Sequence, residues 1–458
     1  MHAKVSFAVR RPLVLALLVV LLALVACAGG AAPTPTPEPP TPTQAAAPPT
    51  PTQPAPEPTP TEAPQPEKRT DNLEGETITL YHFGDISGPY AAITTPLVNG
   101  FNDAVAWLNE QGGIRGAKVD VVWADDAGNI EEAISIYNRF RAADPKPIML
   151  IIYGSPELEA LRERFVEDQI VTLTAGVSGE GLYVNSGWAF GWVPIYSDQF
   201  GLFVDWLVEN WNDVKPPEAG DEIKLAFITW DTAYGRAAST PEALEYAQEK
   251  GIEVVGVEFI ELSPTADTTT ALLNAEAAGA NVIYTNTLAF GPANILKDAT
   301  ALGLREKMLF AGNNWAMDLA TLALAGPENM EGFYSLMPYI WWDEDHPGVQ
   351  IIKEQFEKNQ RPPQERNIAY LASFAIVDAA RQVIERAIDD VGFDALDGQA
   401  LHNAITTMGE IQALDGVLRL EYDATRRAPN KARVATTQAG KFVPVTDWLE
   451  TPDLRPQE

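Results

Sequence analysis

The apolar and polar positions of this 458-residue chain fall into three regimes. The first is an unbroken apolar run over residues 13–25, preceded by Lys4, Arg10 and Arg11, which is the layout of a secretory signal. As a helix, about thirteen residues rise only ~20 Å, less than a hydrocarbon core of ~30 Å, so residues 1–26 read as a signal peptide and not as a permanent span. From 28 to about 71 the chain turns to Pro, Thr, Ala, Gln and Glu, as in Pro33-Thr34-Pro35-Thr36-Pro37, with almost nothing to bury. Such chain builds no core and favours the extended polyproline form at ~3.1 Å per residue; a disordered tether over 27–74 would reach up to roughly 100 Å.

After Glu74 short β-rich runs alternate with helical patterns, the rhythm of parallel α/β domains. Strands are predicted at 77–83, 118–123, 148–153 and 170–174, with helices at 96–110, 131–143 and 157–167 between them. A second series follows Trp188-Ala189-Phe190-Gly191-Trp192, with strands at 224–229, 253–259, 281–285 and 308–311 and helices near 237–250, 269–278 and 293–302. A third portion, from about Gly332, carries helical patterns at 349–359 and 369–388 and short strands near 417–421 and 433–437. It is too poor in strands for its own sheet. Its helices are expected to complete the first lobe and its final strands the second, giving lobe 1 as 75–194 plus about 337–412 and lobe 2 as 195–336 plus about 413–450. The fold class is therefore α/β, with two Rossmann-like lobes, a multi-crossover hinge and a ligand cleft where the carboxyl ends of the strands face each other.

Composition narrows the function. Acidic residues number 63 against 32 basic ones, a formal charge of -31 that opposes nucleic acid and serves solubility. The four histidines, His2, His82, His346 and His402, show no metal-ligand spacing, and neither a Gly-x-Ser-x-Gly elbow nor a P-loop occurs. Asp125-Asp126 and Asp389-Asp390 are adjacent pairs whose side chains point apart, so they read as solvated loop or helix-end charges, not catalytic carboxylates. Neither an enzyme nor a cofactor is expected. The single cysteine, Cys27, closes Leu24-Val25-Ala26-Cys27, which resembles the lipobox of bacterial lipoproteins and implies an extracytoplasmic protein anchored in the membrane through lipid on Cys27. With Cys27 so used, no disulfide is available and the core rests on apolar burial.

Several segments carry a wider resemblance. Ser87-Gly88-Pro89-Tyr90 follows the first strand, and Asn109-Glu110-Gln111-Gly112-Gly113-Ile114-Arg115-Gly116 and Asp125-Asp126 flank the second. Then come Tyr153-Gly154-Ser155, Trp230-Asp231-Thr232-Ala233-Tyr234-Gly235 and Asp298-Ala299-Thr300-Ala301-Leu302-Gly303-Leu304. In this order and spacing, over about 76–446, the chain resembles the leucine/isoleucine/valine-binding proteins, the type I periplasmic solute-binding proteins of ABC importers. Gly112 and Gly113 also read physically, as the left-handed end of a helix. Ser87 either caps a helix or contacts an anionic group.

The resemblance implies a cleft that closes on one small molecule and delivers it to an ABC permease. It implies that Ser155 and Ser178, with the backbone at Gly176, hold a ligand carboxylate, the alternative for both serines being helix capping. Tyr234 matches an aromatic that closes over the ligand, and Tyr90 and Trp230 stand near it. The acid that pairs with a ligand ammonium in amino-acid-binding members falls near Asn313-Asn314-Trp315, and a second-lobe tyrosine falls at Leu288. With no carboxylate there, Asn314, Trp315 and Leu288 suit an amide, an amine-free carboxylate or an aromatic compound better than a free amino acid. The rival reading is a sensory ectodomain of the same fold working with a signalling partner; the absence of a second apolar segment before Glu458 favours delivery to a separate permease.

Overall fold

In the computed structural model, which describes residues 69–456, the strand rhythm resolves into two sheets. The first contains β1 (Thr77–Gly84), β2 (Lys118–Asp125), β3 (Met149–Ile152), β4 (Val171–Thr174) and β5 (Ala189–Gly191), in the order β2-β1-β3-β4-β5 with every pair parallel. Helices α1 (Ala91–Glu110), α2 (Ile130–Arg141), α3 (Ser155–Asp168) and α4 (Gly179–Tyr183) follow its first four strands. β3 and β4 are buried at all positions, as their continuous apolar or threonine-containing runs require when both faces are covered.

The second sheet takes the order β14-β13-β10-β9-β8-β6-β7, built from β6 (Lys224–Trp230), β7 (Glu253–Ile260), β8 (Val282–Thr285), β9 (Leu309–Gly312), β10 (Tyr334–Met337), β13 (Lys431–Gln438) and β14 (Lys441–Pro444). β6 to β10 are mutually parallel, and β13 and β14 extend the sheet antiparallel. β15 (Leu449–Glu450) also pairs with β13. β11 (Ile411–Ala413) and β12 (Leu418–Leu420) form a hairpin of their own. The strand near 417–421 therefore pairs in this hairpin and not in the second sheet, because a turn with Asp415 at φ +59 and Gly416 at φ +97 folds it onto β11 first. The helices here are α5 (Tyr196–Val214), α6 (Ala233–Arg236), α7 (Pro241–Glu249), α8 (Thr269–Ala277), α9 (Phe290–Ala301), α10 (Leu319–Ala325) and α11 (Pro327–Met330). The third portion adds α12 (Pro347–Lys358), α13 (Ile368–Val391) and α14 (Gly398–Thr407).

Several elements, α14 among them, depart from the sequence expectations, and three bear on the core and the cleft wall. The 19-residue α5 was not anticipated, although Phe200, Phe203, Val204, Leu207 and Trp211 are buried at helical spacing. β10 was not anticipated either, since four residues carry little periodicity. α1 begins five residues before Pro96, which sits in its second turn at the expense of one backbone hydrogen bond. The folded part also starts earlier than expected: Leu73 is fully buried, its N–H donates to Arg115 O at 3.0 Å, and Arg69 pairs with Glu76 and Asp394. The signal peptide, Cys27 and the tether as far as residue 68 lie outside the described residues. Among those described, no helix is long and apolar enough to cross a membrane.

α13 lies along α1 and fixes its position. A Cβ on Gly100 would stand 2.5 Å from Tyr370 O, so the helices meet backbone to backbone there. Beside that contact, buried Asp103 accepts from Arg361 Nε at 2.8 Å, Arg361 Nη2 at 2.7 Å and Tyr370 Oη at 2.7 Å. This matters for function because the opposite end of α1 points at the cleft.

Candidate functional site

Strand order reverses beside the first strand of each parallel set, between β1 and β3 and between β6 and β8. At such a switch point the loops leave in opposite directions and open a crevice at the carboxyl ends. A cavity lies there, bounded by residues that follow strands of both sheets. The first sheet contributes Gly84 at the end of β1 and Asp85 after it, Tyr153 to Glu157 after β3, Gly176 after β4, and Tyr90, Ile93, Thr94 and Leu97 from the N-cap and first turns of α1. The second sheet's side contributes Tyr196 at the start of α5, Tyr234 after β6, Leu288 after β8 and Trp315 after β9.

Six of the nine ligand residues expected from sequence line this cavity: Tyr90, Ser155, Gly176, Tyr234, Leu288 and Trp315. Ser155 is buried, and its Oγ, beside the Tyr196 phenol, makes no hydrogen bond of ordinary length and angle within the chain. Gly176 is held by sterics: a Cβ would lie 2.2 Å from Ser155 N, where the loops after β3 and β4 touch. The Tyr90 ring stands 6.1 Å from Trp230, Tyr234 stands 5.1 Å from Tyr196, and the Trp315 indole N–H donates to Tyr196 Oη at 3.1 Å. Asn313 ties two of these residues together: its Nδ2 donates to Tyr234 Oη at 2.8 Å and its Oδ1 accepts from the Trp315 backbone N–H at 2.9 Å.

The other three lie off the cavity. Ser87 is exposed and donates to Asp125 Oδ2 at 2.6 Å. Ser178 is the N-cap of α4, its Oγ accepting from Gly181 N at 3.2 Å, so its hydroxyl serves the backbone. Asn314 is buried against α5, where it exchanges two hydrogen bonds of 2.9 Å with Gln199. The ordering of these residues was legible, but the direction of each side chain was set by the partner it met in the fold: the Asp125 carboxylate for Ser87, a backbone N–H for Ser178 and the Gln199 side chain for Asn314.

What the sequence reading missed is acidic. Asp85 and Glu157 line the cavity, and Asp126 is fully buried behind them, not solvated as expected. The Asp85 carboxylate accepts from Tyr90 N at 2.7 Å and from Gly88 N, tying the loop to the start of α1. Glu157 occupies the third position of α3 after Pro156, and a Cβ on Gly154 would meet its Oε2 at 1.8 Å, so the carboxyl folds back over Gly154. That Oε2 is buried and unpartnered. Burial, reinforced by Asp126 and Asp85, pushes the Glu157 carboxyl up to about 8. Asp126 rises to about 6, mainly through burial. A proline followed by glutamate at a helix start is a readable signal, and it stood two residues from Ser155. Tyr153 and Tyr196 were missed too; Tyr153 Oη meets His82 Nδ1 at 2.9 Å, and burial lowers that histidine to about 3, so the imidazole there is neutral. Among the described residues no cluster of three or more His, Cys, Asp or Glu is arranged to hold a metal ion.

A profile of the periplasmic binding protein family matches residues 77–441. The chain belongs to that family. It is a family of solute-binding proteins and not of enzymes, and it places the folded part outside the cytoplasm. The chain is 21% identical over 303 residues to the Leu/Ile/Val-binding protein homolog 1 of Brucella abortus (strain 2308), covering 65% of this chain and 76% of that protein. Among solved structures, a branched-chain amino acid ABC transporter protein from Thermus thermophilus with bound valine aligns with a TM-score of 0.72 at 24% identity, over 83% of this chain and 98% of that one. A fatty acid ABC transporter substrate-binding protein from Thermomonospora curvata aligns with a TM-score of 0.68 at 20% identity, over 85% of this chain and 96% of that one. The two-lobed α/β fold expected from sequence is the fold of these relatives.

Proposed function

We propose that this chain is the substrate-binding protein of an ABC importer, capturing one small polar or amino-acid-like solute between lobes built on its two sheets. Hinge closure would bury the solute and present the closed form to a permease. The observation that carries this reading is a single cavity bounded by loops from both switch points, with the unpartnered Ser155 hydroxyl on one side and the Tyr196–Tyr234–Trp315 group on the other. Lipid on Cys27 and the Pro/Thr-rich tether would keep the cleft near the membrane while leaving it free to turn.

The test is a thermal-shift screen of the full chain against amino acids, amides, amines, short acids and aromatic carboxylates. A ligand at ~100 times its dissociation constant stabilises by ~2.7 kcal/mol, a resolvable shift. A folded protein that responds to no class would overturn the reading. Anchoring is tested separately: Cys27→Ala is expected to move the protein from the membrane fraction to the soluble one.

A further inference from the structure

We infer that the solute carries a protonated amine, and that its cationic head binds against Glu157 and Ser155 while its apolar body lies along Ile93, Leu97 and Leu288. This rests on the cleft being the solute site and narrows what the cleft accepts. Three observations carry it. First, the wall is acidic: Asp85 and Glu157 line it with Asp126 buried behind, and neither Lys nor Arg lines the cavity. An anion placed there would stand beside the Asp85 carboxyl group with no cationic side chain among the lining residues to offset it. Second, the place expected for a ligand carboxylate, at the start of α3 beside Ser155, already holds a carboxyl of the chain itself, because Glu157 folds over Gly154. Glu157 lines the cavity, is only 5% exposed, and its Oε2 has no hydrogen-bond partner within the chain. Third, four tyrosines and Trp315 also line the cavity, and the negative π faces of such rings favour cations.

The apo cleft keeps Glu157 protonated near neutral pH, since burial together with Asp126 and Asp85 raises it; the facing phenols of Tyr90, Tyr153, Tyr196 and Tyr234 stay neutral there. A cation at Oε2 reverses that preference. The exchange balances as R–NH₃⁺ plus Glu157–COOH giving the R–NH₃⁺/Glu157–COO⁻ pair plus one proton released to solvent.

The probes are isopentylamine, leucine, isovaleramide and isovalerate, which share one branched body and differ in the head. Titration calorimetry of the full chain at pH 6.5, in two buffers of different ionisation enthalpy, reads affinity and proton release together. The amine is expected to bind more tightly than isovalerate and to release close to one proton, and leucine shows whether a carboxylate beside the ammonium is also accepted. Glu157→Gln, which keeps shape and neutrality, should weaken the amine about 10- to 100-fold and abolish proton release. Tighter binding of isovalerate or isovaleramide than of the amine overturns the cation assignment and leaves the solute-binding reading standing. Amine binding without proton release, or unaffected in Glu157→Gln, overturns the role of Glu157. If none of the four probes binds and the broad screen is also silent, both readings fall.

Discussion

Gly100→Ala tests how the cleft wall is held. Gly100 sits inside α1, where alanine would ordinarily stabilise the helix by about 1 kcal/mol and also reduce the freedom of the unfolded chain. On propensity alone the variant should be more stable. The packing says the reverse: the added Cβ would lie 2.5 Å from Tyr370 O, 3.0 Å from Tyr370 Cα and 3.1 Å from its carbonyl carbon, all backbone atoms of α13 that no rotamer change can remove. To restore ordinary contact the helices must part by nearly 1 Å, at a cost in the upper part of the roughly 1–3 kcal/mol that overpacking carries. Net of the propensity gain, the variant should lose about 2 kcal/mol. Urea unfolding with an unchanged slope measures it, and because Ile93, Thr94 and Leu97 ride on the same helix into the cavity, solute affinity should fall as well. A Gly100→Ala protein as stable as the parent would refute the claim that α1 and α13 meet backbone to backbone.

Four further outcomes follow from the same geometry. Ser178→Ala should cost about 1 kcal/mol through loss of the α4 cap and leave solute affinity unchanged, as read by thermal denaturation and calorimetry. Ser155→Ala should do the converse, with stability within about 0.5 kcal/mol and affinity about tenfold weaker, since its Oγ has no partner to lose within the chain. Without solute, stability should fall as pH rises: Glu157 goes from 4.5 unfolded to about 8 folded and Asp198 from 3.8 to about 8, both chiefly by burial, so the folded form holds extra protons. That contribution is complete below pH 4 and lost as pH passes 8; Glu157→Gln should remove on the order of 3–5 kcal/mol of the fall, and a flat urea-midpoint profile in the parent would contradict it. Asp103→Ala should cost about 3 kcal/mol, because Arg361 and Tyr370 lose their shared acceptor.

Much of the architecture was legible along the chain. Alternation of apolar runs with helical spacing marked eight parallel strands to within two residues, because a strand buried on both faces or a helix buried on one leaves its period in the sequence. Gly112 and Gly113, at φ +103 and +70, end α1 as their lack of a Cβ allows. α5 was legible in principle, through its buried positions at helical spacing, whereas β10 is too short to carry a period. The partner of β12 depended on which strand lay within reach of a tight turn, and no local pattern encodes that.

The site divides the same way. Ordered segments brought Tyr90, Ser155, Gly176, Tyr234, Leu288 and Trp315 to one cavity, because loops at carboxyl ends must converge when two parallel sheets face each other. Whether a polar side chain there serves the solute or the protein was decided only by tertiary structure. The Ser178 hydroxyl capped α4 and the Asn314 amide oxygen accepted from Gln199, while Ser155 Oγ and Glu157 Oε2 made no such bond beside the cavity. Glutamate at the third position of a helix reads locally as a surface cap. What raises the Glu157 carboxyl is first its burial in the folded chain and then the approach of Asp126 and Asp85 from the ends of two other strands. Burial and charge neighbourhood depend on segments far apart in the chain, so they become properties of a residue only once the chain has folded.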